Sequence, residues 1–203
     1  MAETRPSEKT LVIIKPDGVQ RSLIGEIIKR YESVGLKLVG LKMIIPTEDM
    51  ARSHYMVGGD EWLENVGLKA ISSYEKKGLE SPFKSARECG EAVLGRNAKY
   101  LSAGPVVAMI WQGNQAVALV RKLTGGTEPL TSDIGTIRGD LTLDSYALAD
   151  NGERSVRNLI HGSGTVEEAD KEMAIWFKPA EILSYRLIAE EILYDVNLDG
   201  IKE

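Results

Sequence analysis

The chain has 203 residues, 43% of them hydrophobic and 27% charged, with a formal net charge of −5 at pH 7. A length near that of a typical domain argues for one domain with a substantial core, and the apolar fraction is too high for a disordered chain. The mild acidity argues against wholesale coating of nucleic acid, yet it leaves room for a small anionic ligand held by local cations. No apolar run approaches the roughly 20 residues that a membrane helix needs. Residues 1–9 carry no apolar stretch of the secretory type, and Cys89 is the single cysteine, so a cytoplasmic protein is expected.

In chain order, the β-branched run from Thr10 to Lys15, halted by Pro16, Asp17 and Gly18, predicts a buried strand and a turn. Leu23, Ile24, Ile27, Ile28, Tyr31 and Val34 fall on one face of a helix, with Ser22 as its N-cap and Gly35 as its stop. A second strand follows over 36–45, closed by Pro46, and Thr47 opens a helix with acidic residues in its first turn. Between 60 and 99, two glycine-punctuated helical stretches, 61–77 and 85–94, carry patchy apolar faces and read as a surface insertion. Val106 to Trp111 is a strong buried strand, and Asn114 caps a helix that runs through Leu123 to Gly125 and Gly126. The stretch 125–158 is rich in Gly, Thr and Asp with little periodicity. Loops of that length within a compact domain are usually functional or disordered, and the three cationic positions it carries favour function. Thr165 and Glu168 form a capping-box pattern, 173–177 reads as a strand before Pro179, and short helices recur beyond it. This alternation, with short links, allows an antiparallel sheet with helices on one face, the split βαβ sandwich; a parallel doubly wound sheet is the alternative.

The phosphate-cradling loop G-x-x-x-x-G-K-[ST] is absent, and the string 162–167 lacks the third glycine of a dinucleotide fingerprint. Residues 195–200 match the first half of a calcium-binding loop but lack the bidentate glutamate that completes it, so they read as a solvated acidic tail. Of the two histidines, His54 sits on the helix opened at Thr47, where most histidines have surface or packing roles. His161 follows apolar Leu159 and Ile160 and precedes Gly162, Ser163 and Gly164, small residues that leave space around its ring. An imidazole is partly unprotonated near neutral pH, and it can act as a nucleophile when a partner on its other nitrogen fixes the tautomer. Glu167, Glu168 and Glu172 all follow on the next helix, while Lys15, Arg121 and Arg138 supply cations for an incoming phosphate.

Three segments carry a resemblance. Residues 10–18, 135–140 and 158–163 closely resemble the signature segments of nucleoside diphosphate kinases, and His54-Tyr55, Gly104 to Met109 and Trp176 to Pro179 agree in order and surroundings. The likeness covers 10–63, 99–143 and 156–179. It implies a single domain over 1–203 with an α+β fold, a ferredoxin-like α/β sandwich in which helices pack on an antiparallel sheet. It further implies transfer of a γ-phosphoryl group from a nucleoside triphosphate to a nucleoside diphosphate, in two steps through a phosphohistidine. His161 occupies the nucleophile's position, Glu172 that of the carboxylate orienting the ring, and Ser163 that of the hydroxyl beside it. Lys15, Tyr55, Arg121, Thr127, Arg138 and Asn158 match the positions that hold phosphates and ribose. Trp62, in preference to Leu63, is expected to stack the base. The resemblance also implies Mg2+ carried on the nucleotide phosphates without a protein metal cage, and a homo-oligomer, a hexamer by preference. Two stretches, about 64–96 and about 144–156, exceed the family pattern and read as insertions beside the site. A catalytically impaired nucleotide-binding or scaffold member is the alternative function.

Overall fold

The computed structural model describes residues 7–76, 78 and 80–195. The acidic stretch 195–200 therefore lies, apart from the backbone of Asp195, outside the described residues. Four strands, β1 (Glu8–Ile14), β2 (Lys37–Ile44), β3 (Val106–Gly113) and β4 (Ile160–Gly162), form a sheet of order β2-β3-β1-β4 that is antiparallel throughout. This is the strand order of the split βαβ sandwich, and it excludes the parallel doubly wound alternative. The helices, in chain order, are α1 (Pro16–Gln20), α2 (Ile24–Glu32), α3 (Glu48–Tyr55), α4 (Gly59–Lys76), α5 (Ala86–Leu101), α6 (Ala116–Thr124), α7 (Ile137–Leu141), α8 (Tyr146–Asn151) and α9 (Val166–Trp176).

Helices cover both faces of the sheet, not one. Leu11 and Ile13 of β1 pack with Ala51 of α3, Ala98 and Leu101 of α5, and Ala169, Met173 and Trp176 of α9. Val12 and Ile14 point the other way, onto Ile27 and Tyr31 of α2 and Val120 of α6. Every residue from Thr10 to Ile14 is buried, because β1 has a strand on each side and helices on both faces. An uninterrupted apolar run, as opposed to an alternating one, is the sequence mark of such a strand.

The local differences from the sequence expectations have identifiable causes. Pro16 to Gln20 forms a short helix, since Pro at the first helical position is pre-organised for it. Ser22 does not cap α2; it sits at φ 57°, and Leu23 is the N-cap. Asn114 does not cap α6 either. Gln115 holds that position in the left-handed region, and the carboxylate of Glu8 accepts the free Val117 N–H at 2.8 Å. A remote side chain thus does the work that a local cap would do. Residues 173–176 belong to α9, because Ala169, Met173 and Trp176 make one helical face; a short apolar run cannot be told from a strand by itself. The stretch 125–158 is broken into a 3₁₀ turn (Pro129–Thr131), α7 and α8, and β4 emerges directly after it.

Beyond Pro179 the chain returns along the outer edge of β2. Leu183 N donates to Val39 O at 2.7 Å, Tyr185 Oη donates to Leu38 O at 2.7 Å, and Lys37 Nζ meets Glu190 Oε1 at 2.6 Å. Edge carbonyls that would otherwise be open are so occupied. No helix among the described residues is long and apolar enough to cross a membrane.

Helices α4 and α5 form a close hairpin over the sheet's margin, with Ser85 capping α5 through the Glu88 N–H. The two backbones meet at glycines: a β-carbon on Gly67 would overlap the Ala86 carbonyl, and one on Gly90 the Leu63 carbonyl. Gly67→Val should therefore lower stability by about 1–3 kcal/mol, the usual cost of overpacking, as measured by denaturant or thermal unfolding. Wild-type stability in that variant would refute the close approach.

Candidate active site

The chemistry-bearing residues gather where β1 and β4 run side by side. Ile13 of β1 pairs with His161 of β4, and Lys15, one residue past β1, donates its N–H to Leu159 O at 2.8 Å. Helix α9 starts at Thr165, whose hydroxyl accepts the Glu168 N–H, and packs on β1 so that Glu172 is buried next to His161. Glu172 Oε2 accepts from His161 Nε2 at 3.0 Å and from Ser163 Oγ at 2.6 Å. Burial alone would raise this carboxyl, but the charge and hydrogen bond of His161, with His54 and Ser163, outweigh it and hold the group below its ordinary range. An ionised carboxylate only accepts, so the His161 proton resides on Nε2 and the lone pair on Nδ1. The other two candidates are engaged elsewhere: Glu168 Oε2 accepts the Gly164 N–H at 2.9 Å, and Glu167 pairs with Lys171 on the surface.

Cations and amides lie on the far side of the ring. Lys15 Nζ donates to Asn158 Oδ1 at 2.7 Å, and Asn158 Nδ2 donates to Thr127 O at 3.0 Å. Burial first, and the neighbouring Arg138 second, push the Lys15 ammonium down to about 7, while Asp17 opposes them. Arg138 is itself buried and pushed down to about 10, chiefly by burial. Its three nitrogens donate to the carbonyls of Gly125, Gly126, Asn158 and Ile160, so it ties the loop after α6 to the start of β4. Most of its fork is spent on the backbone, and its positive charge is what it chiefly offers a ligand.

These groups open into one cavity of about 800 Å³, lined by Lys15, Tyr55, Trp62, Arg121, Thr127, Arg138, Asn158, His161 and Glu172; Ser163 sits behind Glu172, away from the lining. Arg121 and Thr127 are exposed at its rim. Trp62 stacks near Tyr55, with ring centroids 6.2 Å apart and planes 25° apart, whereas Leu63 is 1% exposed and belongs to the core. The nine lining residues named were all expected from the sequence, Ser163 reaches them through Glu172, and Glu167 and Leu63 lie elsewhere.

The family model described as "Nucleoside diphosphate kinase" matches residues 8–66 and 71–182. A nucleoside diphosphate kinase of Pyrobaculum aerophilum is 42% identical over 182 residues, which are 88% of this chain and 99% of the relative. The crystal structure of an NDP kinase from that organism superposes with a TM-score of 0.85 at 40% identity, over 88% of this chain and 100% of the other. The Borrelia burgdorferi nucleoside-diphosphate kinase, solved as a transition state mimic with vanadate and ADP, superposes with a TM-score of 0.73 at 36% identity, over 91% and 95%. The chain belongs to the nucleoside diphosphate kinase family. It is a phosphotransferase that moves the γ-phosphoryl group of a nucleoside triphosphate to a nucleoside diphosphate.

In this nucleoside diphosphate kinase fold, both long segments wall the cavity. Val66, Lys69 and Tyr74 of α4, Arg96 and Asn97 of α5, and Tyr146, Asp150 and Arg154 from the second segment all line it. That second segment is braced by Asp144, which takes Arg154 at 2.6 Å and 3.0 Å and the Arg157 N–H at 2.5 Å. Ser155 Oγ then donates to Asn97 Oδ1 at 2.7 Å and joins the two walls.

His54 is the residue whose place the sequence reading missed. It is buried against His161, ring centroids 4.4 Å apart and planes nearly perpendicular, and Trp176 Nε1 donates to its Nδ1 at 3.3 Å. An indole N–H only donates, so the His54 proton is on Nε2, which finds no acceptor among the described residues. The ligand atoms of His54, His161 and Glu172 lie within 4.8 Å of one another, but Trp176 holds His54 Nδ1, and His161 and Ser163 hold Glu172 Oε2. Its immediate neighbour Tyr55 was the available signal.

Burial, then the adjacent His161 and Lys15, push His54 down to about 3, against the pull of Glu172. Its folded value thus lies below the unfolded value of about 6.5. The stability it contributes is present above that value and is lost as pH falls toward 3, at up to about 1.4 kcal/mol per pH unit. His54→Gln, which keeps an acceptor for Trp176, should lose less stability on acidification than the parent protein. Parallel stability–pH curves from denaturant titrations would refute this.

Proposed function

We propose that His161 Nδ1 is the atom that takes the γ-phosphoryl group. The observation that carries this is the Glu172–His161 hydrogen bond, which holds the proton on Nε2 beside a cation-lined cavity. Nδ1 attacks the γ-phosphorus, the bond from that phosphorus to the bridging oxygen breaks, and the nucleoside diphosphate leaves. A terminal oxygen of the incoming diphosphate then takes the phosphoryl group back from Nδ1. Glu172 orients the ring and stabilises the positive charge that develops on it, and Ser163 orients Glu172.

Lys15, Arg121 and Arg138 offset the charge of the transferring oxygens, where preorganised cations act most strongly. Tyr55, Thr127 and Asn158 add hydrogen bonds to phosphate and ribose, and Trp62 gives the base a stacking face. Mg2+ suits this donor set only when carried by the nucleotide. Of the carboxylates lining the cavity, Glu172 is committed to His161 and Ser163 and Glu168 to the Gly164 N–H, and the surrounding cations repel a bare ion. Carried on phosphate oxygens, as Mg2+ prefers, it would neutralise part of their charge.

We read residues 1–203 as one domain with insertions at about 64–96 and 144–156, working in the cytoplasm, where a single unpaired thiol stays reduced. The edge strand β2 and the residue after it expose Leu41, Met43 and Ile45 at 51%, 55% and 70%, an apolar row that fits pairing with a second copy. Sedimentation should therefore find a homo-oligomer, with a hexamer the preferred size; a monomer at micromolar concentration would overturn this.

The test of the mechanism is incubation with magnesium and ATP alone, read by intact mass. One acid-labile phosphoryl group should be added, discharged by a nucleoside diphosphate, absent in His161→Ala and formed at least about tenfold more slowly in Glu172→Gln. An adduct that persists in His161→Ala would overturn the assignment.

A further inference from the structure

Between Asn158 and the strand that carries His161, the backbone makes a turn of an uncommon kind. Ile160 N donates to Asn158 O at 2.7 Å, two residues back, and Leu159 between them sits at φ 64°. This is the γ-turn of the rare, strained hand, and Leu159 has a side chain that disfavours it. Such a turn persists only where its surroundings over-determine it. Arg138 holds both flanks, through Asn158 O at 3.2 Å and Ile160 O at 2.6 Å. The Leu159 N–H is held from the other side by Asp17 Oδ2 at 3.2 Å.

Asp17 does not act alone. Its other oxygen, Oδ1, accepts from the Tyr100 hydroxyl at 2.5 Å. Tyr100 stands near the end of α5, the helix that continues out of the first insertion. Its ring carries Lys15 Nζ at 5.1 Å and the Arg157 guanidinium at 4.6 Å from its centroid. Tyr100, Asp17, Leu159, Asn158 and Lys15 thus form a closed circuit of contacts around one end of the site.

We propose that Asp17 and Tyr100 are positioning residues for phosphoryl transfer: together they pin the Leu159 γ-turn and so keep Asn158 and Lys15 in register with His161. The inference rests on the reading of Lys15 and Asn158 as phosphate- and ribose-holding groups. Neither Asp17 nor Tyr100 lines the nucleotide cavity, so both act through their neighbours. Burial and the adjacent Asp17 charge raise the Tyr100 phenol above its ordinary range, so it remains a donor throughout the working range. Asp17 has a second effect, since its charge favours the protonated form of Lys15 against burial and Arg138. The other groups facing that ammonium are the Tyr100 ring and the neutral His54.

The sign follows. Lys15 is charged below about 7 and loses its charge as pH rises through that value, so phosphate affinity falls over the same range. Removing the Asp17 charge moves that fall to lower pH. Steady-state kinetics of Asp17→Asn, Tyr100→Phe and Lys15→Gln across neutral and mildly alkaline pH, with thermal unfolding of each, test the proposal. Asp17→Asn should lower kcat/KM about tenfold and shift its alkaline limb toward acid. Tyr100→Phe keeps the ring and the Asp17 charge; it should lower kcat/KM by about threefold with the limb in place.

A lowered melting temperature with unmoved kcat/KM and pH profile would show a merely structural role and overturn the proposal. So would wild-type kinetics in Tyr100→Phe, a variant that remains informative if Asp17→Asn does not fold. If Lys15→Gln weakens nucleotide use while Asp17→Asn does not, only the positioning proposal fails. If Lys15→Gln itself leaves KM unchanged, the phosphate-site reading fails and takes the proposal with it.

Discussion

The active site depends on a carboxylate that is buried and kept ionised. Removing Glu172 from water would by itself favour the neutral acid, which could donate a proton to His161 Nε2 and leave the wrong nitrogen with the lone pair. The electrostatic pull and hydrogen bond of His161, with His54 and the hydrogen bond from Ser163, reverse that preference. On the proposed mechanism, which nitrogen attacks thus follows from where α9 is docked. That docking is a packing result, produced by Ala169, Met173 and Trp176 against β1. Trp176 links the two levels, since it fills the core and also fixes the tautomer of His54 beside the reacting ring.

The cations that share the cavity with His161 are held charged against their own burial. Lys15 and Arg138 are both buried, and burial lowers each; Arg138 adds to the effect on Lys15 and Arg121 to that on Arg138, while Asp17 opposes it for Lys15 and phenols, Tyr31 foremost, oppose it for Arg138. An ammonium held near 7 is close to losing its proton, a state that a polyanionic ligand corrects by restoring its preference for charge. Such displaced values in a cleft are a mark of function more than of stability. Arg138 has in addition a structural duty, since its hydrogen bonds to four carbonyls hold the loop after α6 against the start of β4. A lysine could replace its charge but not that fork.

The sheet and the site were readable in the sequence to different depths. The strands β1, β2 and β3 and the helices α2, α3 and α6 announce themselves through burial patterns that are local in the chain. β4 does not, because three residues set by pairing with β1 leave no periodic trace. Helix placement on both faces was hidden for a related reason: a strand buried on two sides has no alternation to reveal which side a helix takes. The caps at Ser22 and Asn114 failed since residue type shows only that a cap is possible, while Glu8, more than a hundred positions away, supplied the actual acceptor for α6. In the site, His161 stood out by its small neighbours, and choosing Glu172 over Glu167 and Glu168 needed the resemblance or the fold. His54 had only its neighbour Tyr55 as a signal and Tyr100 had none, because their significance lies in contacts across 107 and 83 positions of the chain.

The two long segments join the fold away from the strands and helix that carry His161 and Glu172. One interrupts the path from α3 to β3, the other the path from α7 to β4, so neither enters the pairing of β1 with β4 or the packing of α9. Side chains of both line the cavity, and Ser155 of the second bonds Asn97, which follows the first along α5. Yet α5 is one continuous helix, and its far end delivers Tyr100 to Asp17. A wall that looks peripheral is therefore linked, through α5, Tyr100 and Asp17, to the turn that precedes His161.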